Sequence, residues 1–334
     1  MTSPSHAQEP ARRSANLARV ARTYGLQIGI VCVLLAIWGV FIIGAPQTFL
    51  SSEIYRAYMS TIPFFAVMAL PLTMVVIAGE MDLSFPSIMA MGMLVFVRVF
   101  AATGSAFLAF IPCLAAGFVI GLLNGVIVVK LGIPSLVATI GTQFFWRGAV
   151  LVITGGRPAS LVPLKTTILH EALVGRLAGY LPAQMIWTIV VAVLVWLFLN
   201  RHKFGAHVYL IGDNEDSARL MGVNVARTRM MAFALVGLAA AFAGVLASLE
   251  VNYYWVTLGE GYLMRTLAAV FLGGTSVFGG TGTVLGTFVG CFIIGAIEAG
   301  IVAIGLTGFW TQLLYGLIII ISVSMHAALS RRLE

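Results

Sequence analysis

The stretch NRHKFGAHVYLIGDNEDSARLMGVNVARTR, residues 200–229, is a polar island in a strongly apolar chain. It holds eight charged residues, whereas only 9% of the 334 residues are charged and 60% are hydrophobic. Charged side chains are almost never buried without partners, so the polar island must lie in water. It is long enough to hold a short helix, and we expect it to be a docking segment rather than a simple turn.

Apolar runs of about 20 residues recur on both sides of the polar island, and each can cross roughly 30 Å of hydrocarbon. The mean hydropathy of +1.03 exceeds what a soluble core needs, and the 36 glycines suit closely packed membrane helices. The sequence predicts an all-α integral membrane protein with about ten transmembrane helices, some of them discontinuous. The predicted spans are 26–44, 58–78, 83–102, 107–129, 133–153, 183–199, 230–250, 263–279, 282–304 and 310–327.

Basic residues set the orientation of these spans. Alternation puts the N-terminal arm, Lys130, the polar island and the pair Arg331 and Arg332 on one side, and these regions hold 12 of the 19 Lys and Arg residues. The positive-inside rule makes that side the cytoplasm, so both termini are predicted to be cytoplasmic. The same rule accounts for the net charge of +7 without nucleic acid as a partner.

The predicted division is a cytoplasmic N-terminal arm (1–25), a transmembrane domain (26–327) and a cytoplasmic tail (328–334). Arginines in the arm precede an apolar run, as in a signal peptide. That run is longer than such a peptide needs, and we expect a retained first span. The segment 154–182 is predicted to lie on the outer side, with room for a short surface helix.

Two stretches are poor continuous helices because Gly, Ser, Thr or Pro interrupt their apolar residues. They are AGEMDLSFPS (78–87) and AAVFLGGTSVFGGTGTVLGT (268–287). Such backbone is tolerated at membrane depth only where protein or a water-filled cavity satisfies its polar groups. Two interpretations stay open: broken helices beside a solute path, as in transporters, or tight turns at the membrane face.

Polar side chains in and between the predicted spans are candidates for such a path. They are Glu80, Asp82, Ser84, Asn124, Thr139, Gln143, Trp146, Thr275, Ser276 and Glu298. Thr139, Gln143 and Trp146 are spaced by four and three residues and share one helix face, which suits a sugar or polyol. Structural alternatives stay open: Asp82 or Ser84 as the cap of the third span, and hydrogen bonds between helices for the other polar groups.

Two ionisable residues raise separate expectations. Glu298 is the one carboxylate deep in the ninth predicted span. It could line the path, pack as a protonated acid, or carry protons in a self-sufficient carrier. Arg147 lies late in the fifth span, and we expect its side chain to extend to the outer membrane interface.

The sequence contains no motif for catalysis. None of its three lysines, Lys130, Lys165 and Lys203, ends a G-x-x-x-x-G-K-[ST] phosphate loop, and no G-x-S-x-G or H-E-x-x-H motif occurs. The cysteines fall in apolar runs and the histidines lack metal-ligand spacing, so no metal site is expected. We expect a protein that is not an enzyme and binds no cofactor; if ATP drives it, another chain binds the nucleotide.

The polar island has the pattern of a short capped helix. Asp213 or Asn214 can cap a helix over residues 215–221, and Gly222 is a natural stop. Apolar and charged residues together would give it an amphipathic surface that fits a partner's groove. The candidate docking residues are Asn214, Glu215, Asp216, Ala218, Arg219, Leu220, Met221 and Gly222. An ordinary solvated loop is the alternative.

Four segments match known patterns in order. AGEMDLSFPS resembles G-G-I-D-L-S-V-G-S, and LNGVIVVKLGIPSLVATIG (123–141) with Arg147-Gly148 resembles N-G-x-x-x…G-I-P…T-L-G…R-G. IGDNEDSARLMGVNVARTR resembles G-x-N-x-x-A-A-x-x-x-G-I-x-V, and LAAVFLGGTSVFGGTGTVLGT resembles I-A-A-V-V-L-G-G-T-S-x-x-G-G-x-G. From about residue 60 to 325 the chain therefore resembles the permease subunits of ribose-type sugar ABC importers, the branched-chain permease superfamily that includes ribose, xylose and autoinducer-2 permeases.

The resemblance implies a permease of the bacterial inner membrane that imports a monosaccharide or related polyol. It implies three kinds of partner. A second permease copy or paralogue lies beside the chain in the lipid bilayer. Cytoplasmic ATPase subunits hold ATP and Mg²⁺, and a solute-binding protein docks from the periplasm. The helix in the polar island would be the coupling helix that seats on the ATPase. Glu80 replaces the pattern's second glycine, and Phe85-Pro86 replaces Val-Gly, so pentoses, pentitols and related furanoses all stay open as solutes.

Overall fold

The computed structural model describes residues 27–330, with side chains described as far as Ser324. The predicted N-terminal arm (1–25) lies outside the described residues, as do residues 331–334 of the predicted tail. The described part forms fifteen α-helices, one short 3-10 turn and four two-residue strands. The predicted all-α class is therefore confirmed.

The helices are α1 (Gln27–Gly44), α2 (Pro46–Phe49), α3 (Ser52–Thr61), α4 (Pro63–Ile77), α5 (Phe85–Thr103), α6 (Ala106–Leu131), α7 (Ser135–Thr154), α8 (Ile168–Val174), α9 (Ala183–Asn200), α10 (Lys203–Asp213), α11 (Glu215–Leu220), α12 (Val225–Val251), α13 (Tyr262–Leu272), α14 (Val284–Ala303) and α15 (Phe309–Ser330). The strands are β1 (Ala159–Ser160), β2 (Arg176–Leu177), β3 (Leu181–Pro182) and β4 (Tyr253–Tyr254).

Within the described residues, seven helices are long and apolar enough to cross a membrane: α1, α5, α6, α7, α9, α12 and α14. α3 and α4 are bent by 51° and count as an eighth candidate crossing when taken as one span. The bend lies at Pro63, which has no backbone N–H to continue the helical hydrogen bonds. The shorter apolar helices are α13 and α15, the latter apolar over Phe309–Ser324. Each of the ten predicted spans thus has an apolar helix in the structure.

The eighth predicted span, 263–279, is shorter than the sequence suggested. α13 ends early, and an irregular connection, 273–283, precedes α14. Within it Gly274, Gly279 and Gly280 have φ values of +82°, +87° and +75°. Residues other than glycine rarely adopt this left-handed conformation, so the glycines that weaken the helical pattern also end the helix.

α4 lies at the centre of the fold. All 15 of its residues are buried, because α9, α12, α13 and α14 pack around it. α1 and α7 lie at the periphery, where only 6% and 17% of their most apolar windows are buried. A helix that is apolar all round suits an interior position, whereas α1 and α7 leave faces open to lipid or to another chain.

α6 and α12 pack antiparallel along a seam of glycines. A Cβ atom added at Gly121 would lie 2.3 Å from the Phe233 carbonyl oxygen, and one at Gly117 would lie 2.4 Å from the Gly237 carbonyl oxygen. These distances leave no room for a side chain, so the two backbones touch directly. Such close approach gains dispersion contacts that hold membrane helices together in the absence of a strong hydrophobic effect.

The outer segment, 154–182, contains the short surface helix that the sequence predicted. α8 begins after Thr167, whose hydroxyl oxygen accepts a hydrogen bond from the His170 N–H at 3.3 Å. β1 pairs with β4 and β2 pairs with β3, both antiparallel. The outer segment is thereby fixed to the connection that follows α12.

The polar island folds into two helices, α10 and α11. Asn214 Oδ1 accepts a hydrogen bond from the Ser217 N–H at 2.8 Å, and Gly222 follows α11 with a φ of +81°. The predicted capped helix and its glycine stop are confirmed. α10 was not predicted; it buries Val208 and Ile211 against the rest of the chain, a packing that the local pattern does not reveal.

Replacing Gly121 with alanine tests the glycine seam. We expect Gly121→Ala to lower the free energy of unfolding by roughly 1–3 kcal/mol, because the added Cβ must push α6 from α12. Unfolding in mixed micelles measures this change. The matched control is Gly39→Ala in the middle of α1, where an added Cβ meets nothing within 4 Å and should stabilise the helix by up to about 1 kcal/mol. Equal effects of the two substitutions would contradict direct backbone contact at the seam.

Candidate functional site

Two interruptions of membrane helices meet inside the fold. The first interruption (78–84) separates α4 from α5, and the second interruption (273–283) separates α13 from α14. The Gly280 N–H of the second donates a hydrogen bond to the Ile77 carbonyl oxygen at the end of α4, at 2.9 Å. Gly79 and Phe278 nevertheless lie exposed within the two segments, and α13 and α14 pack antiparallel on either side of the second. Both interpretations, broken helices beside a solute path and tight turns at the membrane face, therefore stay open, and contact with a solute stays a prediction.

The first interruption contains a cluster of three fully buried polar side chains. Asp82 Oδ1 accepts hydrogen bonds from the Ser84 N–H at 2.8 Å and the Ser84 hydroxyl at 2.6 Å. The Asn124 side-chain amide of α6 donates to the same hydroxyl at 2.6 Å. Ser84 occupies the N-cap position of α5, but its side chain makes no capping bond. The predicted cap at this helix is therefore replaced by a bridge between the interruption and α6.

Two oxygen atoms of this cluster have no hydrogen-bond donor among the described residues. They are Asp82 Oδ2 and Asn124 Oδ1, and both side chains are 0% exposed. Buried acceptors of this kind are normally satisfied, often by water or by a hydroxyl group. The cluster can therefore accept further hydrogen bonds, but a solute reaches it only if the surrounding helices move.

α7 forms hydrogen bonds with the first interruption and with α5. The Thr139 hydroxyl donates to the Ser135 carbonyl oxygen at 2.7 Å, and the Ser135 hydroxyl oxygen accepts from the Met81 N–H at 3.0 Å. The Ser87 hydroxyl of α5 donates to the Gln143 carbonyl oxygen at 2.8 Å. Sequence reasoning missed Ser135 and Ser87, since a serine at a helix start gives no sign of its distant partner.

The shared face predicted for three α7 residues is only partly realised. Thr139 is fully buried, whereas Gln143 and Trp146 are half-buried. Trp146 packs edge-on against Phe145 with 5.0 Å between ring centroids. Gln143 is therefore the predicted α7 residue whose polar side chain remains closest to the open side of the helix.

Arg147 is largely buried against backbone, and its position relative to the membrane interface stays a prediction. Its side chain is only 12% exposed and donates to the carbonyl oxygens of Val256 at 2.6 Å, Leu258 at 2.9 Å and Pro86 at 3.1 Å. The guanidinium replaces lost water with backbone oxygens and ties the start of α5 to the connection before α13. A planar group with five N–H donors suits this clamp, which a lysine could not reproduce.

The second interruption buries both of its predicted residues. Thr275 is 0% exposed, and its hydroxyl oxygen has no partner among the described residues. The Ser276 hydroxyl oxygen accepts from the Phe278 N–H at 3.2 Å, and the Ser276 N–H donates to the Thr281 carbonyl oxygen at 3.0 Å. Ser276 therefore shapes the loop itself, whereas Thr275 keeps unused hydrogen-bonding capacity.

Glu298 lies apart from this assembly. Arg265 Nη2 is 2.6 Å from Glu298 Oε1, and the Tyr315 hydroxyl donates to Oε2 at 3.3 Å. The pair borders a cavity of about 500 Å³ that Tyr58 and Tyr262 also line. Glu298 is therefore one half of an ion pair that joins α14 to α13.

Glu80 also has an ion-pair partner. Arg229 Nε, in the second turn of α12, is 2.9 Å from Glu80 Oε1, and its Nη2 is 2.8 Å from Glu215 Oε2 in α11. Arg219 also contacts Glu215. Partial burial raises the pKa of Glu215, but the charges and hydrogen bonds of Arg229 and Arg219 outweigh it, and its pKa is lowered. Its stabilising effect is therefore complete at neutral pH and is lost only as the pH falls through that lowered pKa.

The structure thus brings together part of the predicted set. Asp82, Ser84 and Asn124 contact one another, and Thr139 is linked to them through Ser135 and Met81. Glu80 and Glu298 belong to separate ion pairs. The candidate docking residues lie on α11 and its two ends, where Ala218 is buried and the larger apolar side chains are exposed.

Comparisons with known proteins agree with this arrangement. The family described as "Branched-chain amino acid transport system / permease component" matches residues 54–323. The autoinducer 2 import system permease protein LsrC of Yersinia pestis (strain Pestoides F) is 32% identical over 282 residues, covering 82% of this chain and 77% of that protein. The ribose import permease protein RbsC of Escherichia coli (strain K12) is 31% identical over 260 residues, covering 77% of this chain and 80% of that protein. No solved structure matches the chain.

Removal of the Ser84 hydroxyl tests the buried cluster. Ser84→Ala leaves Asp82 Oδ1 and the Asn124 amide each short of one partner, and unsatisfied buried groups cost roughly 1–3 kcal/mol each. We expect a matching loss in the free energy of unfolding in mixed micelles. The control is Thr61→Ala, which removes an exposed hydroxyl bonded only to its own helix and should change stability by less than about 0.5 kcal/mol. A Ser84→Ala protein as stable as the control would contradict the bridge.

Proposed function

The chain belongs to the family of branched-chain amino acid transport system permease components, and on this basis we propose that it imports a monosaccharide or related polyol delivered by a periplasmic binding protein. It is a multi-pass inner-membrane protein, the permease subunit of an ATP-binding-cassette importer, and not itself an enzyme. The observation that carries the proposal is α11, a capped helix with an exposed apolar tip beside an apolar membrane fold.

The tip of α11 supports docking of the ATPase subunit. Leu220 is 90% exposed and Met221 is 59% exposed, whereas Ala218 is fully buried. The buried residue holds α11 to the permease, and the exposed ones are free to enter a groove of another protein. In this proposal the polar island and both termini are cytoplasmic, and the permease domain is 26–327. The ATPase binds ATP and Mg²⁺, since the sequence has no phosphate loop.

The open face of α7 supports a solute path shared with a second permease copy or paralogue. Thr142 and Gln143 are half-buried there, beside Phe144 and Phe145, which are 73% and 64% exposed. Polar side chains in membrane helices face protein or water rather than lipid, because hydrocarbon offers them no hydrogen bonds. We place the path between α7 and the second permease, with the Gln143 amide available to solute hydroxyls.

The buried candidates have a supporting role in this proposal. Asp82, Ser84, Asn124 and Thr139 hold the first interruption, and Thr275 and Ser276 belong to the second. All six are buried in the conformation described. They reach the solute only in a conformation where the two interruptions separate, which is the change that an alternating-access mechanism requires.

The solute class follows from the relatives and from the path. The names of two relatives give autoinducer 2 and ribose as what those systems import. For this chain we infer a small molecule with several hydroxyl groups. An amide and an aromatic side chain on α7 suit such a molecule, because its hydroxyls need hydrogen bonds and its carbon faces need an apolar surface.

The outer segment, 154–182, is the proposed docking surface for the binding protein. The β1–β4 pair joins it to the connection after α12, and the β2–β3 pair orders it internally. Arg56 of α3 also lies over the Tyr180 ring, 4.8 Å from its centroid. A surface that is already ordered loses little conformational freedom when a partner binds it, which favours repeated docking.

A proton-driven carrier based on Glu298 is the alternative function, and the site geometry does not favour it. Arg265 and Tyr315 occupy both carboxylate oxygens of Glu298. Proton uptake would break the ion pair and leave the arginine without its partner, which is costly away from water. We therefore assign Glu298 to the packing of α13, α14 and α15.

Leu220→Ala tests the ATPase docking proposal. Burial of a leucine in an interface contributes about 1.5–3 kcal/mol, so the variant should bind the ATPase roughly 10–100-fold more weakly. Co-purification and ATP-dependent uptake in proteoliposomes measure the loss. The matched control is Leu131→Ala, which removes an exposed leucine (68% exposed) at the end of α6 and should bind normally. Undiminished uptake by the chain reconstituted without any ATPase would refute the proposed function.

Gln143→Ala tests the path on α7. Loss of the amide should lower uptake on the order of tenfold, the effect of about one hydrogen bond to solute, while protein level and unfolding temperature stay unchanged. Gln47→Ala, in the exposed connection after α1, is the control for glutamine removal. Parallel loss of uptake and protein level in Gln143→Ala would mean that the amide serves packing alone.

A further inference from the structure

Arg229 joins two parts of the protein that are distant in sequence. Its guanidinium lies between Glu80 in the first interruption, 2.9 Å away, and Glu215 at the start of α11, 2.8 Å away. The side chains of Glu80, Arg229 and Glu215 are 12%, 17% and 32% exposed. Water and salt screen such partly buried pairs less than surface pairs, so this guanidinium couples the broken membrane span to the docking helix.

The backbone beneath this ion-pair chain is packed without space. A Cβ atom at Gly212, near the end of α10, would lie 1.7 Å from the Ile77 carbonyl oxygen and 2.5 Å from the Gly280 nitrogen. The helix that precedes α11 therefore touches both interruptions at the hydrogen bond that joins them. A displacement of α10 and α11 must move this contact or open it, because nothing compressible lies between.

A cavity beside the ion pairs gives the side chains room to rearrange. It measures about 560 Å³ and is lined by Glu80, Arg219 and Arg229 together with residues at the end of α6, at the start of α12 and in the α6–α7 and α11–α12 connections. Arg229 Nε contacts Glu80 at ionic distance without the alignment of a full hydrogen bond. Arg229 is therefore held by Glu215 of α11, while its contact with Glu80 borders the cavity.

We propose that Glu80 and Arg229 are positioning residues that transmit the movement of α11 to the first interruption during transport. The proposal rests on the docking function of α11. When the ATPase displaces α11, Glu215 and Arg229 move with it, and Glu80 either follows or loses its partner. Either outcome shifts the segment that holds Asp82 and Ser84, and so changes the hydrogen bonds that close the two interruptions.

Glu80 also departs from the pattern that the rest of its segment follows. The pattern that this segment resembles has glycine at this place, and a glycine has no side chain that could pair with Arg229. Arg229 Nε contacts one of the two carboxylate oxygens of Glu80, Oε1.

The test compares Glu80→Gln with wild type in the complete importer reconstituted in proteoliposomes. Uptake and ATP hydrolysis are measured on the same vesicles. We expect Glu80→Gln to keep ATP hydrolysis while uptake per ATP falls by about 5–150-fold, the range of typical coupling energies. The double charge swap Glu80→Arg with Arg229→Glu should restore at least part of that ratio. A merely structural role would lower protein level and both activities together.

Glu250→Gln is the matched control, since it removes a carboxylate from a partly buried ion pair with Arg176 at the opposite end of α12. It should alter stability without altering uptake per ATP. An unchanged ratio in Glu80→Gln, or a loss equal to that of Glu250→Gln, would overturn the proposal. If Glu80→Gln cannot be purified, the double variant Glu80→Arg with Arg229→Glu provides the test. A folded double variant with normal uptake per ATP supports the proposal, and a folded one without coupled uptake contradicts it. Failure of the proposed function gives a different result, because uptake by the wild-type protein would then not require the ATPase.

Discussion

The hydrogen bond from the Gly280 N–H to the Ile77 carbonyl oxygen is the constraint on which the rest of this fold depends. A helix that ends inside a membrane leaves polar backbone groups without water, and each costs free energy unless protein satisfies it. Here the loop between α13 and α14 satisfies the last carbonyl group of α4. The two interruptions must therefore lie together, and α4, α5, α13 and α14 take their relative positions from that requirement.

The first interruption is then held by arginines at both of its ends. Arg147 binds backbone oxygens next to the start of α5, and Arg229 pairs with Glu80 near the end of α4. Between them, Asp82 and Ser84 bond to each other and to α6. Charge and hydrogen bonding thus replace the regular helical bonds that the segment lacks. This exchange keeps the segment well defined without regular helical hydrogen bonds.

Local sequence predicts the elements of this protein better than their partners. Apolar runs predict the membrane helices, and Asn214 with Gly222 predicts α11, because a cap and a stop act within one turn. Arg147 shows what a local sequence pattern cannot predict. An arginine late in an apolar run is compatible with snorkelling or with burial, and only the distant carbonyl groups that it meets decide between them. Glu80 is similar, since Arg229 is remote in sequence.

The position of Glu80 bears on how relatives of this protein diverge. A departure from the family pattern beside a broken helix first suggests a change in solute, because such breaks line solute paths in transporters. In the structure the departing carboxylate pairs with Arg229, which also pairs with the docking helix. A change at this place therefore alters an ion-pair chain that reaches α11. In the proposed function that chain serves energy coupling and the open face of α7 serves solute choice, so the two properties can vary separately.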